Sequence, residues 1–156
     1  MCQYCGCQDV PAIDELTREH DDVVELIGEV RAARERGDVD AMAAVVRRIA
    51  LVLGPHTVVE EQGLFPLLAD EFPDHVANLV SEHRHVEAVL AEAGPGTPAD
   101  PTWPSRLTAA LDLLREHILA EQDGVFPAAL GRLDAEDWQA VQAVRDRVTP
   151  TADNLR

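Results

Sequence analysis

His56-Thr57-Val58-Val59-Glu60, followed by Gly63-Leu64-Phe65-Pro66, is one of two copies of a single pattern. The other is His117-Ile118-Leu119-Ala120-Glu121, followed by Gly124-Val125-Phe126-Pro127, with the same internal spacing. On an α-helix, positions i and i+4 lie one turn apart and about 40° apart in azimuth. Each copy therefore projects an imidazole and a carboxylate side by side. Two such pairs facing one another across a helical bundle make a cage of nitrogen and oxygen donors for metal ions.

Outward from these two stretches, the apolar residues recur at helical spacing. A first helix is predicted to open between Asp9 and Pro11 and to run to about Arg36, with Ile13, Leu16, Val23, Val24, Ile27 and Val30 inward. His20 falls within that stripe. Asp38 is a candidate cap for a second helix, whose stripe of Met42, Val45, Ile49, Val52 and Leu53 continues in phase into His56 and Glu60. Pro55 predicts a kink that aims the ligand turn inward, and a second bend is expected at Pro66 before an end near Leu68 to Glu71. Asp74 is read as the cap of a third helix to about Ala93, with Leu79, His83, Val86, Glu87 and Leu90 facing the core.

The repeat extends beyond the His-Glu turns. Glu82-His83 echoes Glu19-His20; His20 precedes His56 by 36 residues and His83 precedes His117 by 34. The chain reads as two helical hairpins of related design. His75 and His85 are expected on the surface, because His85 points well away from His83 round the helix. Gly94 to Pro104, with four prolines and two glycines, reads as a linker. Ser105 is then expected to cap a fourth helix with Leu107, Ala110, Leu111 and Leu114 inward. A short fifth helix capped by Asp134, carrying Trp138, Val141 and Val144, is expected as a lid, with a loose tail from Thr149.

At 156 residues the chain is long enough for one domain with a full core. Its 29 acidic against 13 basic residues repel phosphate backbones, which argues against nucleic acid as a partner. No continuous apolar run of membrane-spanning length and no Sec-type leader is read, so a cytoplasmic protein without a membrane partner is expected. Cys2, Cys5 and Cys7 crowd the first seven residues together with Tyr4. Three thiols do not make a disulfide framework and are one short of a closed zinc site. They are either a plain exposed terminus or a redox or metal-handling arm. The division expected is an arm over 1–9, a helical bundle over 10–131, and a C-terminal helix and tail over 132–156.

A lone His-x3-Glu pair is ordinary on a helix surface and stabilises by a few tenths of a kcal/mol. Here four histidines and at least two glutamates fall on inward faces of four helices. Burying six such groups without compensation would cost on the order of 10 kcal/mol, comparable with the stability of a whole domain. A cation removes that cost. Mixed imidazole and carboxylate suits iron, manganese or zinc. Six or seven donors exceed one tetrahedral zinc and fit two metals about 3.5–4 Å apart, with Glu60 and Glu121 bridging.

With these residues in place, the chain resembles the hemerythrin-like proteins, the family with the HHE cation-binding domain. Glu19-His20, His56-x3-Glu60 with its Gly-Leu-Phe-Pro, Glu82-His83, and His117-x3-Glu121 with its Gly-Val-Phe-Pro carry the resemblance, in order, over roughly 10–131. It implies an all-α, up-down four-helix bundle around an oxo- or hydroxo-bridged centre of two Fe ions, with Zn or Mn as substitutes. His20, His56, His83 and His117 would be terminal ligands. Oxygen-carrying members have a further histidine where this chain has Leu79 and an aspartate where it has Gln122, whereas Glu87 lies one turn after His83 as a further candidate ligand. A site richer in carboxylate favours redox turnover over reversible oxygen carriage. The function expected is reaction with hydrogen peroxide, dioxygen or nitric oxide, as in a non-heme catalase or peroxidase. A non-enzymatic sensor or carrier is the alternative, and iron storage ranks last.

Overall fold

The structure of the protein, a computed structural model, describes residues 10–148. Cys2, Tyr4, Cys5, Cys7 and the tail from Thr149 lie outside the described residues. Within them the fold is all-helical, with no strand: α1 (Pro11–Glu35), α2 (Val39–Val58), α3 (Pro73–Ala91), α4 (Trp103–Ala120), α5 (Phe126–Arg132) and α6 (Ala135–Val148).

Local chemistry sets the boundaries. Pro11 opens α1 with its φ already helical. The helix ends where Gly37 takes a positive φ of 70°, with Gly37 N donating to Arg34 O and Asp38 N to Ala33 O, both at 2.9 Å. This pair of bonds is a Schellman stop. Asp38 then caps α2 as expected, its carboxylate accepting from Ala41 N at 3.0 Å.

Two predicted starts are corrected, and one helix is added. α3 begins at Pro73 after Phe72, so Asp74 lies in the first turn, where its charge meets the helix dipole, and does not cap. α4 begins at Trp103, inside the stretch read as linker, and Ser105 accepts a bond from Arg34 instead of capping. Trp103 is fully buried and its Nε1 donates to Val89 O at 3.2 Å, which ties the start of α4 to the end of α3. The C-terminal region holds two helices, not one. α5 follows α4 directly, and α6 is capped by Asp134, whose carboxylate accepts from Asp137 N while Asp137 accepts from Asp134 N.

α2 runs through Pro55 without a break. The departure from α geometry comes after it, in a π turn over Val59–Leu64, and α4 ends in a matching π turn over Glu121–Val125. Phe65 N bonds to Glu60 O and Phe126 N to Glu121 O, five residues apart. On an α-helix such residues would point about 140° apart. The widened turn lets Glu60 and Phe65, and Glu121 and Phe126, all face inward.

The core has two apolar clusters. One joins the later part of α1 and the earlier part of α2 to the ends of α3 and the body of α4, through residues such as Ile27, Ile49, Leu90 and Leu111. The other joins Leu16, Leu64, Leu79 and Phe126 to Val141 and Val144 of α6. α1 and α3 run from the second cluster to the first, and α2 and α4 run the opposite way. In α1, Val24 is exposed and Leu26 takes the inward place, while in α2 the buried residue is Val46, beside Val45. The helical segment Val39–Leu67 is long and apolar enough to cross a bilayer by length and composition alone, with a mean hydropathy of 1.4 over its most apolar 18-residue window. Its apolar face is committed to this core, through Met42, Val46 and Ile49.

α6 approaches the first π turn closely. A Cβ on Gly63 would stand 3.4 Å from Val141 Cα and from Val144 Cγ2, whereas one on Gly124, its counterpart in the second copy, would meet nothing within 4 Å.

Two glycines test the backbone reading. Gly37→Ala is expected to destabilise by about 1 kcal/mol or more, because an L residue resists positive φ. Gly28→Ala, mid-helix with open space around it, is expected to stabilise by about 0.5–1 kcal/mol. Urea titration reads both.

Candidate metal centre

Between the two apolar clusters lies a polar layer. His20 comes from α1, His56 from α2, Glu60 from its π turn, His83 from α3, His117 from α4 and Glu121 from the second π turn, and all six are buried. They form two overlapping groups: His20, His56, Glu60 and Glu121, and Glu60, His83, His117 and Glu121. Within each group one donor atom per residue lies within 4.8 Å of the others. Glu60 and Glu121 belong to both, the placement that bridging requires.

The two halves match closely. His56 Nε2 stands 3.2 Å from Glu60 Oε1, and His117 Nε2 stands 3.1 Å from Glu121 Oε1. Across the halves, His20 Nε2–Glu121 Oε1 and His83 Nε2–Glu60 Oε1 are both 3.3 Å. The His20–His56 ring centroids are 4.7 Å apart at 49°, and His83–His117 are 4.6 Å apart at 50°. Each Gly-x-Phe-Pro phenylalanine crosses over: Phe126 stacks on His20 at 5.5 Å and Phe65 on His83 at 5.8 Å. The motif thus supplies the apolar wall behind the opposite hairpin's ligand.

Outer carboxylates orient the rings. His56 Nδ1 donates to Glu19 at 3.1 Å, His83 Nδ1 to Glu61 at 2.7 Å and His117 Nδ1 to Glu82 at 3.1 Å. With Nδ1 so committed, each Nε2 is aimed at the shared carboxylates, as in carboxylate–histidine–metal arrangements. Arg145 holds Glu19, Arg84 holds Glu61, and Asn78 donates to Glu82 at 2.8 Å. The repeated Glu-His dipeptide was the signal for Glu19 and Glu82. Glu61 and Arg145 left none: the first is masked by its neighbour Glu60, and the second comes from outside the repeats.

The buried contacts remain incomplete. Both oxygens of Glu60 and of Glu121, and His117 Nε2, make no hydrogen bond of sound geometry, close as their neighbours are. Orphaned buried donors and acceptors of this kind are costly unless something binds them, and these converge on one space. They fit a cation. Burial alone would raise the Glu60 carboxyl, but the charge of His56 above all holds it well below the usual carboxylate range. Glu121 goes the other way, pushed up by burial and by the charge of Glu60. Burial opposes protonation of the histidines, yet Glu60 and Glu19 raise His56 to about 10, and Glu121 raises His117 to about 9. In the metal-free chain, protons take the place that a cation would fill.

The family model for the hemerythrin HHE cation-binding domain matches residues 12–129, most of the chain. The chain belongs to this hemerythrin family. No curated protein and no solved structure gives a match to it. The HHE domain binds metal cations, and the buried histidine and glutamate groups of this member could hold one. His75 and His85 are exposed, as expected. Glu87 is half-buried and lines a cavity of about 10 Å3 beside the ligands, but its carboxylate is paired with Arg84 and falls outside both four-residue groups. Leu79 is buried in the apolar cluster, so α3 offers one histidine to this hemerythrin-type layer.

A histidine with a raised folded value stabilises the fold fully below its ordinary value of 6.5, and that contribution is lost as pH rises through the folded value. The metal-free protein is therefore expected to lose melting temperature between pH 6.5 and 10. Metal displaces those protons, so saturating metal should flatten or reverse the slope in the same scans.

Proposed function

We propose that this chain is a non-heme di-iron protein that reacts with hydrogen peroxide, dioxygen or nitric oxide, with turnover of the catalase or peroxidase type. In this reading α1–α4 form an up-and-down four-helix bundle around the two positions. His20 and His56 serve one and His83 and His117 the other, with Glu60 and Glu121 common to both. The observation that carries the proposal is the sharing of two buried carboxylates between two complete donor groups. A single-metal site has no use for the second set, and nitrogen–oxygen donors in this ratio suit iron, with manganese or zinc able to substitute.

Bound iron would supply the redox chemistry. The chain's own part is to hold the donors, exclude water and limit what enters. Leu53, Val86, Leu114 and Ile118 wall the adjoining cavity, which has room for about one water-sized sphere. That size favours a diatomic molecule or peroxide over any larger substrate. Glu87 at its edge could join the centre only by releasing Arg84. Leu79 and Gln122, standing where oxygen carriers place ligands, favour redox turnover over reversible carriage.

A non-enzymatic sensor is the second reading, favoured by the chain of contacts from His56 through Glu19 and Arg145 to α6, along which a change at the centre could reach the surface. Repeated peroxide turnover without loss of protein selects the enzyme. A stable adduct that alters the C-terminal helix selects the sensor.

Elemental analysis and the absorption spectrum of aerobically purified protein, before and after peroxide, test the centre. About two irons per chain are expected, as in two-metal sites. No metal after iron reconstitution would refute the reading. His56→Ala and Glu121→Ala should each lose bound metal together with the metal-dependent part of the melting temperature. Full metal content in both would sink the ligand assignment.

A further inference from the structure

The two halves of the centre match in their ligands but not in what stands behind them. His83 is backed by Glu61 and His117 by Glu82. In the other half, among the described residues, only His56 has such a partner, Glu19, and His20 Nδ1 makes no hydrogen bond. Gln122 stands where the repeat would place a second Glu61. The outer support of the first half therefore passes through one carboxylate.

That carboxylate is gripped from outside the repeats. Arg145, on α6, is only 5% exposed. Its Nη1 and Nη2 donate to Glu19 Oε2 and Oε1 at 3.0 and 2.7 Å. Its Nε faces Glu15 Oε2 at 2.9 Å, an ion contact without hydrogen-bond geometry. A two-pronged guanidinium–carboxylate pair fixes orientation as well as position, and Glu19 Oε1 is the same atom that accepts from His56 Nδ1. The matching supports in the other half are weaker: Arg84 is half exposed and Asn78 is exposed. Burying a guanidinium is costly unless every contact is well made. α6 reaches this depth because Gly63 leaves room for Val141 and Val144; among the described residues nothing stands within 4 Å of a Cβ on the equivalent Gly124.

We propose that Arg145 is a positioning residue for the metal centre. Through Glu19 it fixes the ring of His56, and it makes the position formed by His20, His56, Glu60 and Glu121 depend on a docked α6. The inference rests on the two-position reading above. The position of Glu60, His83, His117 and Glu121 lacks this dependence. The two positions then differ in affinity, and loosening α6 empties one before the other.

Cobalt(II) added anaerobically to the metal-free, full-length protein tests this, read by visible absorption and by elemental analysis after gel filtration. Wild type should take two ions. Arg145→Met should keep one at wild-type affinity and bind the other about ten- to a hundred-fold more weakly, the usual effect of losing an outer-sphere partner. Glu19→Gln preserves shape and packing, and serves if Arg145→Met folds poorly. It should give the same selective loss, and the double variant should be no worse than either single one. A lowered melting temperature of metal-free Arg145→Met with an unchanged two-ion titration would make Arg145 a plain strut and overturn the inference, leaving the centre intact. Equal weakening of both positions in Glu19→Gln would overturn it too. A wild type that takes up no cobalt would instead remove the centre itself.

Discussion

Two carboxylates, Glu60 and Glu121, sit fully buried at the middle of this molecule, and the rest of the structure is arranged around the need to neutralise them. An unpaired buried carboxylate costs several kcal/mol, so neither could occupy its place without the four imidazoles around it. The same need divides the core in two. Apolar packing fills the space on either side of the charged layer but not the layer itself. A helix that slid by one turn would place a leucine among the ligands and a histidine among the leucines. The polar layer therefore fixes the register of all four long helices, and the apolar clusters hold them together in that register.

Much of this was legible in the sequence because the information is periodic and duplicated. The spacing His56-x3-Glu60, its copy at His117 and Glu121, and the histidines at 20 and 83 on apolar stripes sufficed to bring six residues to one layer. What the sequence hid was of three kinds. The helix start at Trp103 depends on tertiary burial, which outweighed the linker chemistry of its prolines, and the start at Pro73 uses no capping side chain. The π turns need a hydrogen bond shifted by one residue, and no residue type announces that. Glu61 and Arg145 act across the fold, Glu61 on a histidine 22 residues ahead and Arg145 on a glutamate 126 residues behind, so no local pattern points to them. Glu87 is a different case: it lines the cavity beside the ligands, and Arg84 on the same helix pairs with its carboxylate.

The crossing of Phe65 and Phe126 gives the duplication its physical meaning. Each four-residue donor group takes three donors from its own hairpin, one carboxylate from the other, and its aromatic wall from the other as well. Neither hairpin alone encloses a complete position. The aromatic residues also account for the glycine and proline of the motif: the turn must widen and then end quickly if the ring is to reach across.

Seen through symmetry, the two hairpins are related like the halves of a two-fold dimer, with Glu60 and Glu121 as an exchanged pair on either side of the axis. In an isologous interface every contact occurs twice, and a change to one copy is reflected in the other. Within one chain that restriction does not hold, and α6 shows it: it lies over Gly63, whereas among the described residues nothing comes within 4 Å of a Cβ on Gly124. A true homodimer could not cover one face without covering its twin. Joining the copies has allowed two identical half-sites to acquire different surroundings, and with them the freedom to take separate roles.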